Sequence, residues 1–185
     1  MDTIIIRDAA PADGARLLEI YAYYVKNTAI PFEYDVPTLP KFEARIRNTL
    51  RRYPYLVIER NGVIEGYAYA SPFVGRTAYQ WSAELSIYLD RGARGHGLGR
   101  RLYEALEGRL AAMGILNLYA CVGYPETEDE YLTKNSAEFH THLGFSAAGT
   151  FHRCGCKFGR WYDMLWMEKC IGAHRPDPAP VNFPS

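Results

Sequence analysis

The sequence predicts a mixed α/β (α+β) fold in which a central, largely antiparallel sheet carries helices on both faces. Three features point there: two β-rich runs joined by Asn61-Gly62, a strand, glycine-rich turn and helix in succession over residues 79–114, and a pair of β-rich segments closing the chain. Strands and helices that alternate and then end on a strand pair bury their apolar faces most simply as helices packed on a mixed sheet.

Each element follows from its local pattern. Residues 3–7 read as a strand, and Pro11 opens a helix whose apolar stripe is Leu17, Leu18, Tyr21 and Tyr24. Residues 27–40 are rich in turn formers and carry Thr28, Pro31, Phe32, Glu33 and Tyr34, a candidate substrate wall. Leu39, Phe42, Ile46 and Leu50 then fall at helical spacing. Residues 55–60 and 63–71 are strands of a hairpin, because Asn61-Gly62 readily supplies the positive φ that a tight turn needs at both positions. In the strand over residues 79–89, apolar Leu85, Ile87 and Leu89 alternate with Glu84, Ser86 and Tyr88. Leu98, Leu102, Leu106 and Leu110 recur every fourth residue in a helix that Gly114 can end. Residues 116–122 predict another strand, 135–143 a short helix, and 145–151 with 161–169 the closing antiparallel pair. A single domain over residues 1–171 is expected, followed by a loose Pro-rich tail over 172–185.

Composition narrows the class. Hydrophobic residues make up 48% and charged residues 23%, the balance of a globular protein. The 21 basic and 21 acidic side chains cancel, so no global field attracts nucleic acid or an anionic membrane, and any anion site must be local. No apolar run reaches membrane-span length and residues 1–8 lack the zones of a signal peptide, so a cytoplasmic location is expected. Cys121, Cys154, Cys156 and Cys170 form no CxxC pair, which fits reduced thiols, and Cys154 and Cys156 lack companion ligands, so no metal is expected.

The stretch Arg91-Gly92-Ala93-Arg94-Gly95-His96-Gly97-Leu98-Gly99-Arg100-Arg101 joins a strand to a helix N-terminus, where unpaired amides and the helix dipole favour an anion. Glycines let the backbone approach a bulky phosphate and the arginines add charge, which points to a pyrophosphate. A Walker loop is excluded because no Gly-Lys is followed by Ser or Thr, and the dinucleotide GxGxxG fails because Arg100 or Leu102 stands where its third glycine belongs. The pattern that fits is RxxGxG, as Arg94, Gly97 and Gly99, and on these residues the chain resembles the GNAT acetyltransferases. That resemblance implies the GNAT fold and acetyl-CoA as co-substrate. It places the pyrophosphate on Arg94, Gly95, His96, Gly97, Leu98, Gly99 and Arg100, and the pantetheine arm along the backbone of Ile87, Tyr88 and Leu89.

Further markers are Thr28-Ala29-Ile30-Pro31-Phe32-Glu33, Tyr67-Ala68-Tyr69-Ala70-Ser71-Pro72-Phe73, Ala83-Glu84-Leu85-Ser86-Ile87-Tyr88, Phe139-His140-Thr141-His142-Leu143-Gly144-Phe145 and the run from Gly155 to Asp163. With them the chain resembles the phosphinothricin acetyltransferase branch over residues 6–168, whose members acetylate phosphinothricin, methionine sulfoximine or sulfone and similar amino acids. An amine attacks a thioester only as the free base, and the branch's proposed general base falls on Glu84. The plainer reading of that residue is a solvated or salt-bridged strand-end carboxylate. His140 stands where many relatives carry a thiolate-protonating tyrosine, and its role as acid or as substrate contact stays open; His142 reads as a surface residue. Asn135 is either a pantetheine contact or a helix N-cap. Phe32, Glu33, Arg76 and Tyr79 match the branch's pocket positions, with Arg76 suited to clamp a carboxylate or to remain a solvated charge.

The chain departs from the branch at residues 126–134, which are longer and more acidic than usual, and at Cys156, where an aromatic residue is common. The acidic run reads either as recognition of a cationic amine or as a solvated loop. The expected partner is a small-molecule amine, without nucleic acid or membrane, and the resemblance implies a homodimer. An acetyltransferase for a polyamine or a protein amine, and a non-catalytic acyl-CoA sensor, remain as alternatives.

Overall fold

The computed structural model describes residues 2–93 and 95–184, and the chain divides into two compact units. The first holds residues 1–20, 37–118 and 170–185, the second residues 21–36 and 119–169. The fold is mixed α/β, with seven strands and four α-helices among the described residues.

In the first unit, β1 (Ile4–Asp8), β2 (Tyr55–Arg60), β3 (Val63–Pro72) and β4 (Ser82–Leu89) are neighbours in that order, and every pair is antiparallel. The β2–β3 hairpin turns at Asn61 and Gly62, whose φ values of 54° and 79° are those a primed two-residue turn requires. Helix α1 (Gly14–Asn27) starts in this unit, preceded by a 3-10 turn over Pro11–Asp13. Asp13 closes that turn by accepting from the Ala10 amide at 2.8 Å while pairing with Arg7 through both carboxylate oxygens. Helix α2 (Leu39–Leu50) buries Phe42 and Ile46. Helix α3 (Leu98–Met113) buries Leu98, Leu102, Leu106 and Leu110 along one stripe, and Gly114, at φ 95°, ends it by donating to the Leu110 and Ala111 carbonyls.

The strand expected from Tyr79 begins instead at Ser82, because Thr77–Tyr79 is a 3-10 turn. The Tyr79 and Gln80 amides donate to the Arg76 and Thr77 carbonyls at 3.0 Å each, and amides committed locally cannot join a ladder. Against the expectation of a loose tail from residue 172, residues 179–183 lie against this unit. Val181 is buried, the Asn182 amide donates to the Met113 carbonyl at 2.8 Å, and the Trp81 indole donates to the Ala179 carbonyl at 2.8 Å. Phe183 meets the Tyr53 ring edge-on at 5.5 Å, with the Arg52 guanidinium over its own face at 4.1 Å.

The second unit contains β5 (Asn117–Tyr124) from residue 119 onward, α4 (Asn135–His142), β6 (Ser146–Lys157) and most of β7 (Arg160–Cys170), with strands in the order β5-β7-β6. The closing pair is antiparallel, as expected, but it continues past residue 151 to a tight turn at Phe158 and Gly159, both at positive φ. Residues 152–154 bulge out of the ladder, and there the Arg153 amide, at φ 49°, donates to Asp163 at 2.7 Å.

The packing of the tail gives a direct test. Truncation after Pro180 removes a buried valine and an aromatic contact, so it should lower stability by roughly 2–4 kcal/mol, read as a shifted urea midpoint. An unchanged midpoint would mean that the tail contributes nothing.

Candidate active site

Glu84 lies in β4 between buried Ala83 and Leu85, opposite Ser71 of β3. It is half-buried, and among the described residues none hydrogen-bonds to or ion-pairs with its carboxylate. Burial therefore acts unopposed and pushes its pKa above the ordinary carboxylate value. Sequence reasoning missed Tyr103 of α3: burial chiefly, with the nearby Tyr69 and Glu84, pushes its phenol far up, so Tyr103 stays neutral beside that carboxylate.

After β4, Asp90 accepts from the Gly92 amide at 2.9 Å and from Arg16 at 2.7 Å, fixing a 3-10 turn over Arg91–Ala93. Gly95 and Gly97 follow at φ 85° and 70°, and a Cβ at either would meet open space. Left-handed backbone is what demands glycine here, not crowding. Gly97 is the N-cap of α3 and has no side chain to satisfy the helix's first amides. Leu98 and Gly99 are buried, while His96 and Arg100 are exposed. This bare helix N-terminus with adjacent arginines fits a pyrophosphate. Arg94, the first residue of the RxxGxG pattern, lies outside the described residues. Ile87, Tyr88 and Leu89 pair in register with Ala68, Tyr67 and Gly66 of β3.

Arg76 and Tyr79 are exposed around the 3-10 turn, and Tyr79 meets the Phe73 ring edge-on at 6.0 Å. No described residue pairs with the Arg76 guanidinium, which keeps its fork of donors available.

In the second unit, His140 is 3% exposed in α4. Its Nδ1 lies 2.6 Å from the Ser136 carbonyl, which can only accept, so Nδ1 carries the proton and the neutral ring presents a lone pair at Nε2. Burial lowers its pKa against the opposing effect of that hydrogen bond, which keeps the ring neutral. His142 is exposed, as expected. Asn135 is exposed and is the first residue of α4, not its cap: Lys134 occupies the cap position in helical conformation. Glu33 accepts from the Tyr21 hydroxyl at 3.1 Å, and Phe32 packs near the Tyr162 ring at 6.5 Å.

The acidic segment is not simply solvated. Asp129 accepts from the Tyr131 and Leu132 amides, the Tyr162 hydroxyl and Arg160, while Glu130 takes a bidentate pair from Arg160. Glu128 accepts from the Lys134 amide, and Leu132 is buried. Sequence reasoning also passed over Lys157, which is 2% exposed and gives its ammonium to three backbone carbonyls. Burial lowers its pKa, and the Glu33 carboxylate partly offsets the shift. Among the described residues no cluster of His, Cys, Asp or Glu is arranged to hold a metal, and no helix is long and apolar enough to cross a membrane.

Residues 6–166 match the acetyltransferase (GNAT) domain model. A phosphinothricin N-acetyltransferase of Streptomyces viridochromogenes is 32% identical over 177 residues, covering 96% of this chain and 92% of that protein. An L-methionine sulfoximine/L-methionine sulfone acetyltransferase of Salmonella typhimurium is 33% identical over 91% of this chain and 95% of its own length. A crystal structure of a GNAT superfamily phosphinothricin acetyltransferase from Sinorhizobium meliloti, in complex with AcCoA, superposes with a TM-score of 0.84 at 36% identity, covering 92% of this chain and 89% of that one.

The environment of Glu84 has a consequence for stability. A carboxyl whose folded pKa is raised above its unfolded value holds more protons when folded, so stability falls as pH rises from 4.5 through the raised pKa. Glu84→Gln should therefore be more stable than the parent at neutral pH, with the advantage shrinking as pH falls through that window. Thermal melts across pH that show no such convergence would remove burial as the cause.

Proposed function

Because this chain belongs to the GNAT acetyltransferase family, we propose that it acetylates the primary amine of a small amino-acid-like acceptor, of the phosphinothricin, methionine sulfone or methionine sulfoximine type. The observation that carries this reading is Glu84, a half-buried carboxylate without a cationic partner among the described residues, on the strand that runs directly into the glycine-rich turn. A carboxylate serving only to neutralise a charge would have a cation beside it, and its pKa would be lowered.

Acetyl-CoA supplies the activated acetyl thioester when bound. The amides of Gly95, His96, Gly97, Leu98, Gly99 and Arg100, with Arg94, would hold its pyrophosphate, and the backbone of Ile87, Tyr88 and Leu89 with the Asn135 amide group would line its pantetheine arm. Glu84 takes the proton of the acceptor ammonium, directly or through one water, and its raised pKa brings it nearer the amine in proton affinity than an ordinary carboxylate. Tyr103 lies close enough for the Glu84 carboxylate to help raise its phenol pKa, so it stays neutral beside that group. His140, with its Nδ1 proton committed to Ser136, acts at Nε2 as a hydrogen-bond acceptor for the substrate amine and not as a proton donor to a departing thiolate. Arg76 clamps the acceptor's carboxylate, and Phe32, Glu33 and Tyr79 bound its side chain.

The catalytic domain spans residues 1–171, a reading supported by the family match over residues 6–166. The protein works in the cytoplasm as a homodimer; exposed Phe151 and Trp161, at 61% and 64%, support an association surface.

The test is thiol release from acetyl-CoA against methionine sulfone, methionine sulfoximine, phosphinothricin, a polyamine and an N-terminal peptide. Release is expected with the amino-acid analogues. Release only with polyamine or peptide overturns the acceptor class, and tight coenzyme binding with no release supports a sensor. Glu84→Gln should lose roughly 10²- to 10⁴-fold in kcat at neutral pH and abolish the acid limb of the pH profile. Unchanged rate and pH dependence would remove Glu84 from the mechanism.

A further inference from the structure

Three successive residues at the end of β6 each hold a different part of the loop that carries Phe32 and Glu33. Gly155 lies under the Phe32 ring so closely that a Cβ there would come within 2.6 to 2.8 Å of three ring carbons. The Cys156 carbonyl accepts from the Tyr34 hydroxyl at 2.6 Å. Lys157 donates to the carbonyls of Val25, Thr28 and Pro31 at 2.8, 2.9 and 2.8 Å. An ammonium has three protons, and here each has its own carbonyl, so the lysine is fully used inside the protein. Two of those carbonyls lie at or just beyond the end of α1, where C-terminal carbonyls lack intrahelical donors, and the third precedes Phe32. The Ala29 amide, which would otherwise be free to close another turn, donates to the Tyr131 carbonyl at 3.0 Å.

A lysine buried to 2% is costly unless its charge is matched, and a surface lysine would cap a helix end without entering the interior. What the buried arrangement adds is shape. With the ammonium bonded at residues 25, 28 and 31 together, the backbone has one way to leave α1, and Phe32 is delivered onto the only residue type that leaves room for its ring.

Resting on the small-acceptor reading above, we propose that Lys157, with Gly155 and the Cys156 carbonyl, is the positioning element of the acceptor wall and a determinant of acceptor affinity. It touches neither acceptor nor coenzyme. Its effect passes through Phe32 and Glu33, so it governs acceptor KM and leaves coenzyme binding and the chemical step largely alone.

The experiment compares the parent protein with Lys157→Met and, as the milder change, Gly155→Ala. Amide hydrogen exchange over residues 28–34 is expected to speed up about tenfold or more in both, with exchange in α3 unchanged. With the best acceptor of the panel, acceptor KM should rise about tenfold while kcat stays within a factor of about two and the acetyl-CoA Kd, from calorimetry, is unaltered. Unchanged exchange in residues 28–34 of a folded variant overturns the proposal, as does a parallel rise in acceptor KM and coenzyme Kd. If Lys157→Met does not fold, Gly155→Ala decides alone. Should the parent acetylate no amino-acid analogue, the acceptor reading fails separately, and the exchange data still decide whether this clasp holds the loop.

Discussion

The antiparallel pairing of β3 with β4 is the constraint on which the first unit's chemistry depends. Its register, from Ser71 opposite Glu84 to Gly66 opposite Leu89, fixes both where the carboxylate stands and where the strand must end. The end of the ladder leaves little room: a Cβ on Gly66 would collide with Leu89 Cδ2 and lie 3.0 Å from the Tyr88 carbonyl. Asp90 then ties the departing chain to Arg16 and Glu65, its amide donating to the Glu65 carbonyl at 2.7 Å. A shift of one residue in this register would turn Glu84 to the opposite face and carry the glycine-rich turn away from the start of α3.

The elements that could be read from the sequence are those with strong local signals. Asn61-Gly62 specifies its turn through backbone conformation alone, and the four-residue leucine spacing of α3 with Gly114 behind it is a helix however the rest of the chain folds. Placement of Glu84 on a strand before a phosphate-type loop was legible for the same reason. The 3-10 turn at Thr77–Tyr79 was not, because Tyr79 and Trp81 have strand-like side chains and only their amide partners reveal the turn. The β6–β7 turn escaped because its first residue is Phe158, an unusual choice at positive φ.

Charged side chains whose partners are distant in sequence were the hardest to read. Arg160 binds Glu130 from 30 residues away, so nothing within the acidic segment announced that its carboxylates were committed. Lys157 presents the same difficulty in stronger form, since composition places lysine at the surface and its three acceptors are backbone atoms that no motif records. Asn135 illustrates a smaller displacement, in which one residue separates a plausible cap from the first turn of the helix.

The three bonds of Lys157 also span 132, 129 and 126 residues of chain. Contacts so far apart in sequence pay their loop-closure entropy late, after the local helices and hairpins have formed. The segment after α1 therefore waits for one synthesised well after it. Until β6 has emerged and folded, the loop after α1 lacks the Lys157 ammonium for its carbonyls and the Gly155 seat for Phe32, although the glycine-rich turn before α3 has long since been made.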